Sequence, residues 1–327
     1  MIRKVFGIII TSALITFGIA IALILSQRPS ELPPGEGLDF TNTLEAGTDA
    51  PQLLSAVQMR DGYELQLRQY DSAAAAEAPL LVLVHGSGWH GLQFDPLAKN
   101  LSQFADVIVP DLRGHGTKPG TRGDIAYINQ FEDDLADLIK ATAQPGQKVV
   151  LGGHSSGGGL VVRFAGGTHG DMLDGAVLMA PYLHHNAPTM RPNAGGWSYP
   201  LLRRIIGLSM LNTFRITALN HLTIMQLRMP QVVLDGPLGD TATTSYSYRL
   251  NTGFAPRGKY LNDVASLPPF VLIAGSADEA FDAALYEPTM VPVTNKGAYM
   301  TVDGVGHLDI VNAPETRQAI ESLLNDL

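Results

Sequence analysis

Apolar and polar positions divide the chain into segments of distinct character. Val5–Leu25 is an uncharged run of 21 residues, 16 of them apolar, and as a helix it would be ~31 Å long, about one hydrocarbon core. Ser26 to Ala50 carries Pro29, Pro33, Pro34, Gly35 and Gly37 with no apolar period, the pattern of a tether. Further on, Ala56–Met59 and Glu64–Tyr70 read as strands joined through Asp61-Gly62, a pair suited to the positive φ of a tight hairpin. Ala73–Ala76 is a low-complexity link. Continuous apolar runs follow at Leu80–Val84, Val107–Pro110, Lys148–Leu151, Gly175–Met179, Phe270–Ala274 and Tyr299–Val302, as expected of strands buried on both faces. Between them Ile128, Phe131, Leu135, Leu138 and Ile139 keep helical spacing, as does Pro314–Leu324, where proline suits a first turn. The alternation predicts an α/β fold: a mostly parallel central sheet with antiparallel N-terminal strands. About 90 residues separate Ala180 from Phe270, too many for a simple crossover. This stretch, about 181–268, reads as an inserted cap with helices expected over Tyr199–Leu211 and Ile216–Arg228. The expected division is an anchor at 1–26, a linker at 27–54 and a globular domain at 55–327.

Composition sharpens that picture. Charged residues make up 16% and hydrophobic ones 45%, against ~25% charged in an average soluble domain. The mean hydropathy of +0.09 comes from the N-terminal run, since the other residues average roughly −0.1. Arg3 and Lys4 precede the run, whereas Glu31, Glu36 and Asp39 follow Arg28. The positive-inside bias therefore predicts a single-pass anchor with the globular domain on the non-cytoplasmic side. The competing expectation is a cleaved secretory signal, which would release the domain, but Ala20-Ile21-Ala22, the only site of the right type, lies inside the run. A net charge of −9 without any Lys/Arg-rich run argues against nucleic acid as a partner. With no cysteine, a disulfide framework, a cysteine-bound zinc and a thiol nucleophile are excluded.

Candidate chemistry begins where the strand around Val149–Leu151 runs into Gly152-Gly153-His154-Ser155-Ser156-Gly157 and then into helical Leu160–Ala165. A G-x-S-x-G core between strand and helix has the context of a nucleophile elbow. Small residues flank the serine because the turn is sharp, and the amide of Ser156 opens the helix toward a developing oxyanion. A hydroxyl nucleophile needs a base and an orienting acid. Asp278 follows the strand Phe270–Ala274 and His307 follows Tyr299–Val302, both at strand carboxyl ends, where open α/β sheets place ligands. Glu279 and Asp282 are alternatives for the acid. A second oxyanion donor is expected in His85-Gly86-Ser87-Gly88-Trp89, as the amide of Ser87. Trp89, at the pocket rim, and His154 are candidate substrate contacts.

Taken together, His85-Gly86, Asp111-Leu112-Arg113-Gly114-His115-Gly116, the Gly153–Gly157 elbow, Gly275-x-x-Asp278 and Gly306-His307 resemble the α/β-hydrolase fold serine hydrolases. The likeness is to the branch of monoacylglycerol lipases, lysophospholipases, esterases and serine aminopeptidases, and it covers about residues 55–327. The chain order Ser155, Asp278, His307 is that of the fold. The resemblance implies Ser155 as nucleophile, His307 as base then acid, Asp278 as orienting acid, an acyl-enzyme intermediate, and a structural role for His115. Gly86-Ser87-Gly88-Trp89-His90-Gly91 with Asp111 also fits a dinucleotide fingerprint, but bulky Trp89 and His90 crowd the phosphate path. His184-His185 and Glu132-Asp133-Asp134 read as a cap loop and a solvated helix face rather than metal ligands. No cofactor is expected. The expected activity is hydrolysis of carboxylic esters with an apolar acyl part, from small-molecule or lipid substrates. Amide or thioester hydrolysis, acyl transfer, and ligand binding without turnover are the alternatives.

Overall fold

The computed structural model of the 327-residue chain describes residues 2–32, 37–46, 51–72, 78–191, 194 and 196–327; for residues 2–5, 7–10 and 46 it describes the backbone alone. The expected link Ala73–Ala76 and Pro33, Pro34 and Gly35 of the expected tether lie outside the described residues. The described strands are β1 (Leu54–Gln58), β2 (Glu64–Tyr70), β3 (Leu80–Val84), β4 (Asp106–Pro110), β5 (Val149–His154), β6 (Gly175–Met179), β7 (Ser198–Pro200), β8 (Thr223–Leu227), β9 (Ser245–Ser247), β10 (Phe270–Gly275) and β11 (Gly297–Val302). Eight of them form one sheet in the order β1-β2-β4-β3-β5-β6-β10-β11. The pairs β1–β2 and β2–β4 are antiparallel and the others parallel. Every residue of β3 and β5 is buried, because helices cover both faces of a parallel sheet and leave no wet side for polar alternation. The Asp61-Gly62 hairpin turns with Gly62 at φ +83°. The helix Gln130–Thr142 buries Phe131, Leu135, Leu138 and Ile139, and Pro314–Asn325 buries Ile320 and Leu324. Register carries Val84 opposite Gly153, His154 opposite Met179, and Gly275 opposite Val302. The loops after β3, β5, β10 and β11 therefore open on one edge of the sheet.

The cap departs from its expected form. Its helix starts at Leu202 and runs to Thr213, with β7 taking the residues before it. Ile216–Arg228, expected as a helix, instead holds β8, which pairs with β7 and β9 in a three-stranded antiparallel sheet. Tertiary pairing decides such a short apolar run, whose spacing fits either state.

The expected anchor falls in the N-terminal helix Ile2–Leu25. Among the described residues no helix is long and apolar enough to cross a membrane. The first turns of the expected span Val5–Leu25 carry side chains outside the described set. Later turns lay Phe17, Ala20 and Ile24 on Leu208 and Leu211 of the cap helix, an approach close enough that a Cβ on Gly207 would strike the Ala20 carbonyl. Nor is the following segment a bare tether, since Leu38 and Phe40 are buried in the main core and Thr41–Ala46 is a short helix.

Two buried polar systems stiffen the loops at that edge of the sheet. Asp111 accepts from Arg68 at 2.9 Å and from the Gly91 amide at 2.8 Å, so this carboxylate is turned inward and not toward a nucleotide. Arg113 forks onto Asp134 at 2.9 and 2.8 Å, reaches Asp61 at 3.0 Å and lies over the Tyr63 ring. The second system is a set of buried histidines, His85, His90, His115 and His154. His85 donates from Nδ1 to the Gly86 carbonyl and accepts at Nε2 from the Leu112 amide. His115 donates to the Arg113 carbonyl and accepts from the Tyr246 hydroxyl. A carbonyl on one ring nitrogen fixes the tautomer and leaves the other nitrogen as acceptor. Burial pushes His85 and His90 down to about 4 and, with the charge of His307 adding to it, His154 down to about 3; His115 also falls well below its ordinary value.

Two outcomes are expected. Arg113→Ala strands the Asp134 charge in the interior and should cost about 3–5 kcal/mol, read as a lower urea midpoint; an unchanged midpoint would show that the fork is dispensable. Unfolded imidazoles take protons near 6.5 and the folded ones only near 3 to 4, so the unfolded state binds more protons between those values. Stability contributed by these groups is fully present above about pH 6.5 and is lost as pH falls below it. The melting temperature should drop by several degrees between pH 7 and 5, and a flat profile there would contradict neutral burial.

Candidate active site

The loop after β5 makes a turn that few residues tolerate. Ser155 has φ +55° and ψ −121°, a conformation costing a side-chain-bearing residue about 1–3 kcal/mol. A Cβ on Gly157 would strike the carbonyls of Val84 and His85, and one on Gly153 would strike Gly157. These glycines let the helix Ser156–Ala165 pack directly on β3 and β5, and that packing forces Ser155 out above the sheet edge.

Loops after β10 and β11 complete the constellation. Ser155 Oγ lies 2.9 Å from His307 Nε2, and His307 Nδ1 lies 2.8 Å from Asp278 Oδ2. Asp278 also accepts from the amides of Ala280 and Phe281, each at 2.8 Å. Burial raises its pKa, but the His307 imidazole and those amides outweigh burial and hold it below the usual carboxylate range. With a carboxylate on Nδ1, His307 Nε2 faces the serine as an acceptor. A hydroxyl so placed can pass its proton to the imidazole as it attacks a carbonyl carbon. The alternative acids serve elsewhere: Glu279 accepts from the His307 amide at 2.8 Å, and Asp282 accepts from Ala284 at the start of a 3-10 turn.

Ser87 and Ser156, the two candidate oxyanion residues, are brought together with their hydroxyl oxygens 2.6 Å apart. Gly86 passes so near the elbow that a Cβ there would lie 3.1 Å from Ser155 Cβ. The cap fastens this loop: the Gly88 amide donates to Tyr246 at 2.6 Å, and its carbonyl accepts from the Thr243 amide at 2.9 Å. His154 donates from Nε2 to the His307 carbonyl at 2.9 Å, and its ring packs on that of His307. Trp89 is a buried wall rather than an exposed rim, stacked on His90 and edge-on to Phe40. Sequence reasoning missed Gln93, Trp197, Leu38, Phe40 and Thr43, which share the cavity lining with Ser155. Of these, only the apolar pair Leu38 and Phe40 in a polar stretch offered a signal. His184, one of the weighed metal candidates, stacks on Tyr260, and among the described residues no group of three His, Asp or Glu could hold a metal ion.

The family model "Serine aminopeptidase, S33" matches residues 75–290, about two thirds of the chain, ending before His307. Among curated relatives, a probable protein phosphatase methylesterase 1 from Caenorhabditis elegans is 36% identical over 90 residues, 27% of this chain and 25% of the relative. A monoglyceride lipase homolog of Monkeypox virus is 30% identical over 112 residues, 33% of this chain and 40% of the relative. The chain thus spans about a quarter to two fifths of the length of these relatives. Among solved structures, the monoacylglycerol lipase of Paleococcus ferrophilus superposes with a TM-score of 0.61 at 22% identity, over 81% of this chain and 99% of that one. The monoglyceride lipase of Saccharomyces cerevisiae gives 0.63 at 17% identity, over 85% and 96%. At such identities the likeness establishes the fold, and the family match over most of the chain establishes the rest: the protein is a member of the S33 serine aminopeptidase family, with the α/β-hydrolase fold.

Proposed function

We propose that the protein is a serine hydrolase of carboxylic esters with an apolar acyl part. Ser155 Oγ attacks the ester carbonyl while His307 Nε2 takes its proton. The tetrahedral oxyanion is held by the amides of Ser87 and Ser156. Collapse expels the alcohol, which receives the proton from His307, and leaves an acyl group on Ser155. Water, deprotonated by the same imidazole, then releases the carboxylic acid and restores the serine. Asp278 stabilises the imidazolium and fixes its tautomer throughout. The observation that carries this reading is the unbroken hydrogen-bonded line from Ser155 through His307 to Asp278, set at a strained strand-to-helix turn. Lipases and esterases among the structures sharing the fold support an ester as substrate. Apolar Trp89, Trp197 and Phe40 around the serine support an apolar acyl part.

Membrane association through the N-terminal helix, whose apolar run Val5–Leu25 is uncharged, is part of the proposal. Support comes from apolar side chains exposed on two helices that pack together: Leu14, Ile15, Ile19 and Leu25 on the first, and Leu202, Ile206 and, at its end, Phe214 on the cap helix. Exposed apolar side chains on paired helices suit an interaction surface.

With p-nitrophenyl acetate as substrate, Ser155→Ala or His307→Ala should lower kcat by about 10⁶ and Asp278→Asn by about 10⁴, and a fluorophosphonate should label wild-type Ser155. Full activity in Ser155→Ala, or faster turnover of aminoacyl anilides than of esters, would overturn the reading. The full chain should float with phospholipid vesicles while residues 27–327 stay in the soluble fraction; flotation of both would remove the helix as the anchor.

A further inference from the structure

We infer that the segment Gly37–Ala46 is a wall of the substrate site, and that Leu38 and Phe40 restrict the enzyme to esters of a short acyl group, acetyl in size. The inference rests on Ser155 as the nucleophile and narrows its substrate class.

The cavity at Ser155 is lined by residues of the loops that carry the triad, Gly86 and His307 among them, and by Leu38, Phe40 and Thr43 of the N-terminal segment. A water-sized sphere finds about 10 Å³ there, about that needed for one water molecule, within about 310 Å³ of atom-free space that includes open solvent. A chain of several methylenes packed beside Ser155 would press on the lining side chains. Phe40 is held firmly in this lining: it is 3% exposed, and its ring lies edge-on to Trp89 at 5.8 Å and tilted against Trp197 at 5.8 Å. One indole comes from the loop after β3 and the other from the cap, so Phe40 closes the gap between cap and catalytic domain. Leu38 is 5% exposed within the same core.

The segment is held at both ends, as a wall must be. Upstream, Ser30 exchanges hydrogen bonds with the Gln226 side chain of β8, at 3.3 and 2.7 Å, and Gly37 passes so near the Arg228 carbonyl that a Cβ would collide with it. Downstream, Asn42 donates to Asp309, two residues past His307, at 3.0 Å, and the Gln52 amide donates to Asp95 at 3.1 Å. Within the segment Leu38 and Phe40 are buried and line the cavity, while Asp39 between them is exposed.

The test uses the full chain, its active sites titrated with a fluorophosphonate, and compares kcat/KM for p-nitrophenyl acetate and octanoate. Wild type should favour acetate by at least tenfold, since even one ill-fitting methylene discriminates by about 10-fold or more. Phe40→Ala and Leu38→Ala should each raise the octanoate-to-acetate ratio by at least tenfold, and Phe40→Leu by less. A ratio of two substrates on one preparation is independent of how much of a variant folds. A wild type that prefers octanoate, or a ratio unmoved in both alanine variants while Ser155→Ala is inactive, overturns the wall. Retained activity in Ser155→Ala overturns the nucleophile assignment itself, a separate failure.

Discussion

The site depends on how closely one helix approaches two strands. Gly153 and Gly157 have no side chains, and the backbone of the helix Ser156–Ala165 occupies the space that side chains would need against the ends of β3 and β5. The packing of fully buried strands fixes that distance, and the distance dictates the backbone angles of Ser155. Strain at one residue is thus maintained by apolar burial across the whole sheet centre. Because the register of β3, β5, β10 and β11 brings their carboxyl ends to one edge, the same packing sets where the loops carrying Ser87, Asp278 and His307 begin.

A second ordering principle is the direction of hydrogen bonds among buried imidazoles. His85, His115, His154 and His307 each have a carbonyl or carboxylate on one ring nitrogen, which leaves the other nitrogen as an acceptor. Three of these hold position: His85 ties the loop after β3 to Leu112, His115 ties the motif after β4 to Tyr246 of the cap, and His154, which also lines the cavity, props the backbone of His307. Only His307 turns its acceptor nitrogen toward a hydroxyl beside open space. Neutral burial suits the other three to a scaffold role, since an imidazole that rarely protonates adds no charge to the site.

The cap and the N-terminal segment act on the same site from opposite directions. Tyr246 and Thr243 hold both polar atoms of Gly88 and so position the loop that bears Ser87. Leu38 and Phe40 fill the ground in front of Ser155. The N-terminal helix packs on the cap helix rather than on the sheet, and Leu38 and Phe40, later in the chain, line the cavity.

Local sequence determined whatever short-range physics could encode. Doubly buried strands announce themselves as apolar runs, the elbow as glycines two positions either side of a serine, and the hairpin as Asp61-Gly62. Ser155, Asp278 and His307 could be named because each stands at the end of a strand legible by itself. The tertiary structure decided what depends on distant partners. It selected Asp278 over Glu279 and Asp282 by which carboxylate faces the imidazole, and within the 216–228 stretch it made Thr223–Leu227 a strand by pairing it with β7 and β9. It also drew Leu38 and Phe40 out of an apparent tether, because two isolated apolar residues carry no period and become a wall only where Trp89 and Trp197 await them.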